Sequence, residues 1–356
     1  MSAHADRRAR LVALLVEREL SGMLVTTLVN VRYLSGFTGS NGALLVPVEG
    51  DAVLLTDSRY QHQAVVEAPD VELVVTRDLV VGAGGRMDAG AWAAETHTLS
   101  VDDHGQLAEA APSARLVAAG RLVESLREVK DEPEIDALRR ACAISTVALE
   151  GLLAGPLLGR TERELARDLE SRMFDLGAEA IAFDTILAAG DSSAVPHHHP
   201  TDRVVARGDL LKVDFGARVD GYHADCTRTV VMGPADAWQR EVYAAVQASQ
   251  AAGVDALRDG VAVAASDEAA RGVLDAAGWL DRFTTGLGHG VGLEIHEDPF
   301  IGGRHTGRLT SRTVLTMEPG IYVPGRGGVR IEDTVLVTPG APEVLTTMTK
   351  DLLEIA

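Results

Sequence analysis

Four carboxylates and one imidazole, each set in its own short motif, constrain this chain more than any other feature. Asp214 stands in Val-Asp-Phe-Gly-Ala and Asp225 in Ala-Asp-Cys-Thr-Arg-Thr. His289 stands in Gly-His-Gly-Val-Gly-Leu-Glu-Ile-His-Glu, Glu318 in Met-Glu-Pro-Gly, and Glu332 in Val-Arg-Ile-Glu-Asp. Each lies beside glycines or in strand-like sequence, where a buried charge needs a partner. Two divalent cations carry four positive charges, and four ionised carboxylates cancel them. A fold that gathers these motifs could therefore bury a dinuclear metal cluster.

Residues 210–217 and 222–232 read as two strands, with Val219-Asp220-Gly221 as the hairpin signal between them. A turn at 219–220 would set Asp214 directly opposite Asp225; a turn at 220–221 would set them diagonally. Either register leaves both side chains on one sheet face, because the strand period is two. Two like charges about 5–8 Å apart on that face are unfavourable unless a cation lies between them. The competing reading is a solvated hairpin face. Glycines on both sides of His289 let backbone and imidazole approach an ion closely, and His296 follows seven residues later. Glu318 ends the apolar run 313–317. Arg330 and Glu332 share one face of a strand over 329–337 by the alternation rule, although a surface ion pair would look the same. The run His197-His198-His199 reads as a loop before the hairpin.

The bulk properties narrow the partners. A length of 356 residues favours two domains, and 46% hydrophobic residues suffice for a sizeable core. With 33 basic against 52 acidic residues the net charge is −19, which argues against nucleic-acid and anionic-membrane partners. The only lysines are Lys130, Lys212 and Lys350. Two cysteines, Cys142 and Cys226, do not make a disulfide framework. No segment approaches the apolar length of a membrane span, and residues 1–20 lack a signal-peptide pattern, so the expected location is the cytoplasm.

Along the chain, residues 7–20 form an amphipathic helical pattern stopped by Gly22. Short apolar runs at 23–27, 43–46, 52–56, 71–75 and 98–101 read as strands separated by turn chemistry. The first third is therefore a small α/β domain. A joint falls within 120–132. A strong helix then opens with Pro133 and acidic residues, its apolar face expected at Ile135, Leu138, Cys142, Val147 and Leu149. Thr161 and Glu164 fit a capping box for the next helix. The fold class is α/β (α+β), with residues 1–125 as an accessory domain and 126–356 as the catalytic one.

Taken together, the motifs resemble the metallopeptidases of the pita-bread fold, nearest the Xaa-Pro peptidase branch of aminopeptidase P and Xaa-Pro dipeptidase (prolidase). The resemblance spans essentially the whole chain. In the first half it rests on Tyr33-Leu34-Ser35-Gly36-Phe37-Thr38-Gly39-Ser40 and Thr56-Asp57-Ser58-Arg59-Tyr60. It implies a creatinase-like α/β domain followed by a pita-bread peptidase domain.

The resemblance also implies roles. Asp214 and Asp225 would bind one ion and His289 the other. Glu318 and Glu332 complete the set, with Asp225 and Glu332 spanning both. His197, seventeen residues before Asp214, falls at the family's first catalytic-site histidine, and His296 at the second. Arg330 matches an arginine that supports the site, and Glu318 would also shuttle a proton. One departure is Thr285, where many relatives have a histidine that helps to position substrate.

The implied activity is metal-dependent hydrolysis of the bond N-terminal to proline, releasing the first residue of peptides with proline at position two. Xaa-Pro dipeptidase is the alternative, and an inactive peptide-binding pseudo-peptidase a remote one. Methionine aminopeptidase fits poorly with the N-terminal domain, and a metal-free creatinase-like hydrolase with the full ligand set. Manganese is the first expectation for the two ions, with cobalt, iron or zinc as alternatives, and the assembly expected is a homodimer. A dipeptidase would need a cation such as Arg59, or an arginine within 304–308, to capture a free proline carboxylate.

Overall fold

The computed structural model describes residues 2–303 and 306–356 and divides the chain into two compact units, Met1–Arg127 and Glu128–Ala356.

In the first unit a six-stranded sheet runs in the order 72–75, 53–56, 42–47, 22–25, 90–94, 114–118. Neighbours pair in parallel except at Gly42–Pro47, which is antiparallel to both its partners. Leu24, Leu45, Leu55, Trp92 and Leu107 pack its core. Residues 98–101 are not a strand. Ser100 caps the helix Val101–Ala110, its Oγ accepting from the Asp103 amide, and Asp102 and Asp103 occupy the first turn. Those acids favour the helix N-terminus, which overrides the apolar run. The strand actually present there, Gly90–Ala94, is Gly-Ala-Trp-Ala-Ala and shows no β-branched signal.

Among the described residues, the second unit is built from four α-helices and several small sheets. Glu132–Leu153, Glu162–Asp175 and Ala237–Asp255 each begin with a capping box, set by Asp131 and Glu134, Thr161 and Glu164, and Asp236 and Gln239. In the first of these helices Val147 faces outward at 50% exposure, while Ala148 and Leu152 line the buried stripe. The first two helices pack on a four-stranded sheet in the order 354–355, 226–232, 210–215, 186–189. Ala237–Asp255 and Val263–Ala276 pack on a five-stranded sheet in the order 297–301, 288–290, 314–317, 333–336, 343–344.

The strand foreseen over 329–337 is two strands. Gly327–Arg330 pairs with Gly320–Val323, and Asp333–Leu336 pairs with Val314–Met317. The break at 331–332 lets one short segment serve two sheets. The hairpin takes the diagonal register: Asp214 pairs with Thr227, and the turn residues are Asp220 and Gly221. Both have positive φ, +51° and +83°, the conformation a two-residue turn of this hand requires.

Candidate metal centre

Strand alternation puts the ligand-type residues on one side of the sheets. Along Leu210–Phe215, Leu211, Val213 and Phe215 enter the apolar core, which turns Lys212 and Asp214 to the opposite face. Asp225 and Thr227 share a face in the same way. His197, Asp214, Asp225, His289, His296, Glu318 and Glu332 together line a cavity of about 120 Å³, with Phe183, Ile186 and Ile295 as its apolar wall. Larger cavities of about 450 and 550 Å³ lie in the first unit, but neither gathers buried carboxylates around an imidazole, so size does not identify the site.

Asp225, His289 and Glu332 offer ligand atoms within 4.8 Å of one another, all buried. His289 Nε2 lies 3.5 Å from both Asp225 Oδ2 and Glu318 Oε1. Its Nδ1 lies 3.0 Å from the Gly290 carbonyl. Donation there leaves the Nε2 lone pair facing the acids. Burial pushes this imidazole down to about 4, so it is neutral at ordinary pH. The flanking glycines serve the sheet rather than an ion. A Cβ at Gly288 would meet the Thr316 carbonyl at 2.1 Å, and one at Gly290 the Asp298 carbonyl at 2.3 Å.

The acids are under-compensated. Burial pushes Asp225 well above the usual carboxylate range, and Glu332, Asp214 and Glu318 add repulsion. Burial does the same to Glu332, reinforced by Glu318 and Asp214. Burial raises Glu318 to about 7. Among the described residues, no hydrogen-bond partner reaches the buried Asp214 Oδ1. A stranded carboxylate oxygen among acids that resist ionisation fits a site for divalent cations. The residues that would hold them are Asp214, Asp225, His289, Glu318 and Glu332.

Arg330 is brought near but stays behind the cavity wall. Its guanidinium meets Asp214, Tyr322 Oη at 2.8 Å, Thr227 Oγ1 at 2.9 Å and the Pro196 carbonyl at 3.3 Å. It orients Asp214 and, through Thr227, Glu332, whose Oε2 accepts from Thr227 Oγ1 at 2.7 Å. Of the histidine run, only His197 lines the cavity. His198 Nε2 is 2.8 Å from Glu162, a fully buried acid that also accepts from the Thr201 amide and hydroxyl, and His199 is exposed. The His296 and His289 rings meet edge-on at 4.3 Å, and burial lowers the His296 pKa.

Thr285 does not line the cavity. Arg59 is already engaged by both oxygens of Asp57 at 2.9 and 2.7 Å. Arg308 donates to the Gly260 carbonyl at 2.7 Å, and Arg304 lies outside the described residues. Sequence reasoning missed Thr227, Lys212, Glu162 and the apolar wall. Alternation alone could have found the first two, since they sit two residues from Asp225 and Asp214.

Known proteins match along the whole chain. Residues 136–339 match the model of metallopeptidase family M24, and residues 7–129 that of the creatinase/prolidase N-terminal domain. An Xaa-Pro dipeptidase of Pyrococcus furiosus is 34% identical, over 98% of this chain and 99% of that protein. Among solved structures, an Xaa-Pro dipeptidase from Bacillus anthracis superposes with a TM-score of 0.93 at 33% identity, covering 98% of this chain and 99% of that one. An X-Pro aminopeptidase from Thermotoga maritima gives 0.90 at 34% identity, covering 98% and 100%. The chain belongs to metallopeptidase family M24 and carries the creatinase/prolidase N-terminal domain ahead of its peptidase domain.

Proposed function

We propose that this chain is a dinuclear metal-dependent peptidase that hydrolyses the bond N-terminal to proline. The observation that carries the reading is the cluster of Asp214, Asp225, Glu318 and Glu332 around a neutral His289, in which burial and mutual repulsion hold Asp225, Glu318 and Glu332 above the usual carboxylate range. Divalent ions bound by these five residues would supply Lewis acidity and make water acidic enough to act as a nucleophile near neutral pH.

The chain's own groups do the rest. Glu318, partly open to the cavity, is placed to take a proton from water and give it to the leaving proline nitrogen. His296 and His197 on the cavity wall are placed to donate to the developing oxyanion. Arg330 holds Asp214 and the Pro196 carbonyl, so its part is orientation. Phe183, Ile186 and Ile295 give an apolar surface for a substrate side chain or ring. Residues 1–125 would act as the accessory domain and 126–356 as the catalytic one, in a cytoplasmic homodimer with manganese as its first candidate metal.

Release of the first residue from longer peptides and cleavage of free Xaa-Pro remain two versions of this reading. Relatives at about a third identity carry both names, with the dipeptidase name in Pyrococcus furiosus and Bacillus anthracis tilting the balance toward prolidase. Chelated protein reloaded with Mn²⁺ or Co²⁺ should be assayed on Xaa-Pro, its C-terminal amide, Xaa-Pro-Yaa and Xaa-Ala-Yaa. A preference for the free dipeptide names a dipeptidase, and equal or better cleavage of Xaa-Pro-Yaa an aminopeptidase. Full turnover without metal, or indifference to proline, defeats the proposal.

A further inference from the structure

Lys212 has no place in the ligand set, yet it is fully buried, with 0% exposure, two residues before Asp214 and on the same strand face. Burying an amine there is costly unless its hydrogen bonds are made, and a leucine or methionine would fill the space without that cost. Its Nζ donates to the Val195 carbonyl at 2.6 Å and the Pro196 carbonyl at 3.2 Å, above the Tyr322 ring at 5.2 Å. Arg330 reaches the same Pro196 carbonyl at 3.3 Å and also meets Asp214. The backbone just before His197 is thus tied to the strand that carries Asp214. On the far side of His197, Glu162 holds His198 and Thr201. His197 lies between two buried anchors, although its own side chain is exposed toward the cavity.

We propose that Lys212 is a positioning residue, whose amine fixes the 195–196 backbone so that the His197 imidazole is held over the cavity. A neutral amine has two N–H groups and an ammonium three, enough in either form for the two carbonyls, so the clamp does not depend on the protonation state. This inference rests on the part given to His197 in the reaction above.

The test is a double-mutant cycle on metal-loaded protein with Lys212→Met, His197→Ala and the double variant. Bound metal and amide hydrogen exchange over residues 195–201 are measured on each. If Lys212 acts through His197, Lys212→Met lowers kcat by about 10- to 100-fold, the scale of a misplaced catalytic group. The double variant is then no slower than His197→Ala, bound metal is unchanged, and exchange over 195–201 rises. Lys212→Arg, which keeps the donors, should recover part of kcat, and Lys212→Leu takes the place of Lys212→Met if that variant does not fold. Multiplicative losses, loss of metal, or unchanged exchange overturn the proposal. So does full activity in His197→Ala, an outcome that leaves the metal-dependent reading to its own test at Glu332.

Discussion

Glu332 and Asp333 are neighbours in the chain and equally hidden, at 2% and 0% exposure, yet they live under opposite electrostatics. Asp333 accepts from Arg228 and Thr346 at 2.7 Å and from Gln250 and Lys350 at 2.8 Å. Burial alone would push its carboxyl up, but Arg228 and Lys350 hold it below the usual range. Glu332 has the Thr227 hydroxyl, and burial, Glu318 and Asp214 drive it well above that range. A buried acid that the chain itself neutralises is part of the architecture. One that the chain leaves short of positive charge is a place for a cation from outside.

The contrast is broken most directly by exchanging the two acids for their amides. Glu332→Gln should abolish metal binding and lower turnover by about 10³-fold or more, since both the nucleophile and carbonyl polarisation depend on the ions. Stability of the chelated protein should hold or rise. Asp333→Asn should do the reverse, costing about 3–5 kcal/mol by leaving Arg228 and Lys350 without their acid, while the fraction that stays folded still binds metal. Metal analysis and urea denaturation read both. Equal loss of metal from the two variants would erase the distinction.

A smaller effect sharpens the boundary between ligands and their surroundings. His296 touches His289 but offers no atom to the group formed by Asp225, His289 and Glu332. His296→Ala should lower kcat about 100-fold, the scale of one lost oxyanion donor, with bound metal unchanged. Stoichiometric loss of metal would make His296 a ligand.

What could be read from sequence was whatever a short window determines. The hairpin, though not its register, followed from alternation and from Val219-Asp220-Gly221, one helix start from Pro133 and its acidic first turn, and another from the Thr161–Glu164 capping box. The two roles at 332 and 333 could not be separated, because the cations that distinguish them come from residues 228 and 350. The same is true of Lys212 and Glu162, whose burial is created by segments that close over them. Residues 90–94 form a strand because neighbours on both sides pair with them, a fact absent from their composition.

The smallest effect is in pH. In chelated protein Asp225, Glu318 and Glu332 have folded-state pKa values above their unfolded ones. The folded state then holds protons that the unfolded chain has released. Stability is greatest below the unfolded pKa and declines as pH rises from about 4.5 toward the value near 7 given by Glu318. Asp333 has the opposite sign: its contribution is present above the unfolded value of 3.8 and is lost as pH falls through its lower folded pKa. Over about pH 5–7.5 the raised acids should dominate, and the metal-free protein should lose stability while Asp333 contributes no slope. Glu332→Gln removes one raised acid and relieves the other two. Its chelated form should therefore lose less stability across that window. Thermal melts of chelated wild type and Glu332→Gln at several pH values measure this difference. Parallel curves, or a wild type that gains stability toward pH 7.5 faster than the variant, would mean that the chain neutralises Glu332 as fully as it does Asp333.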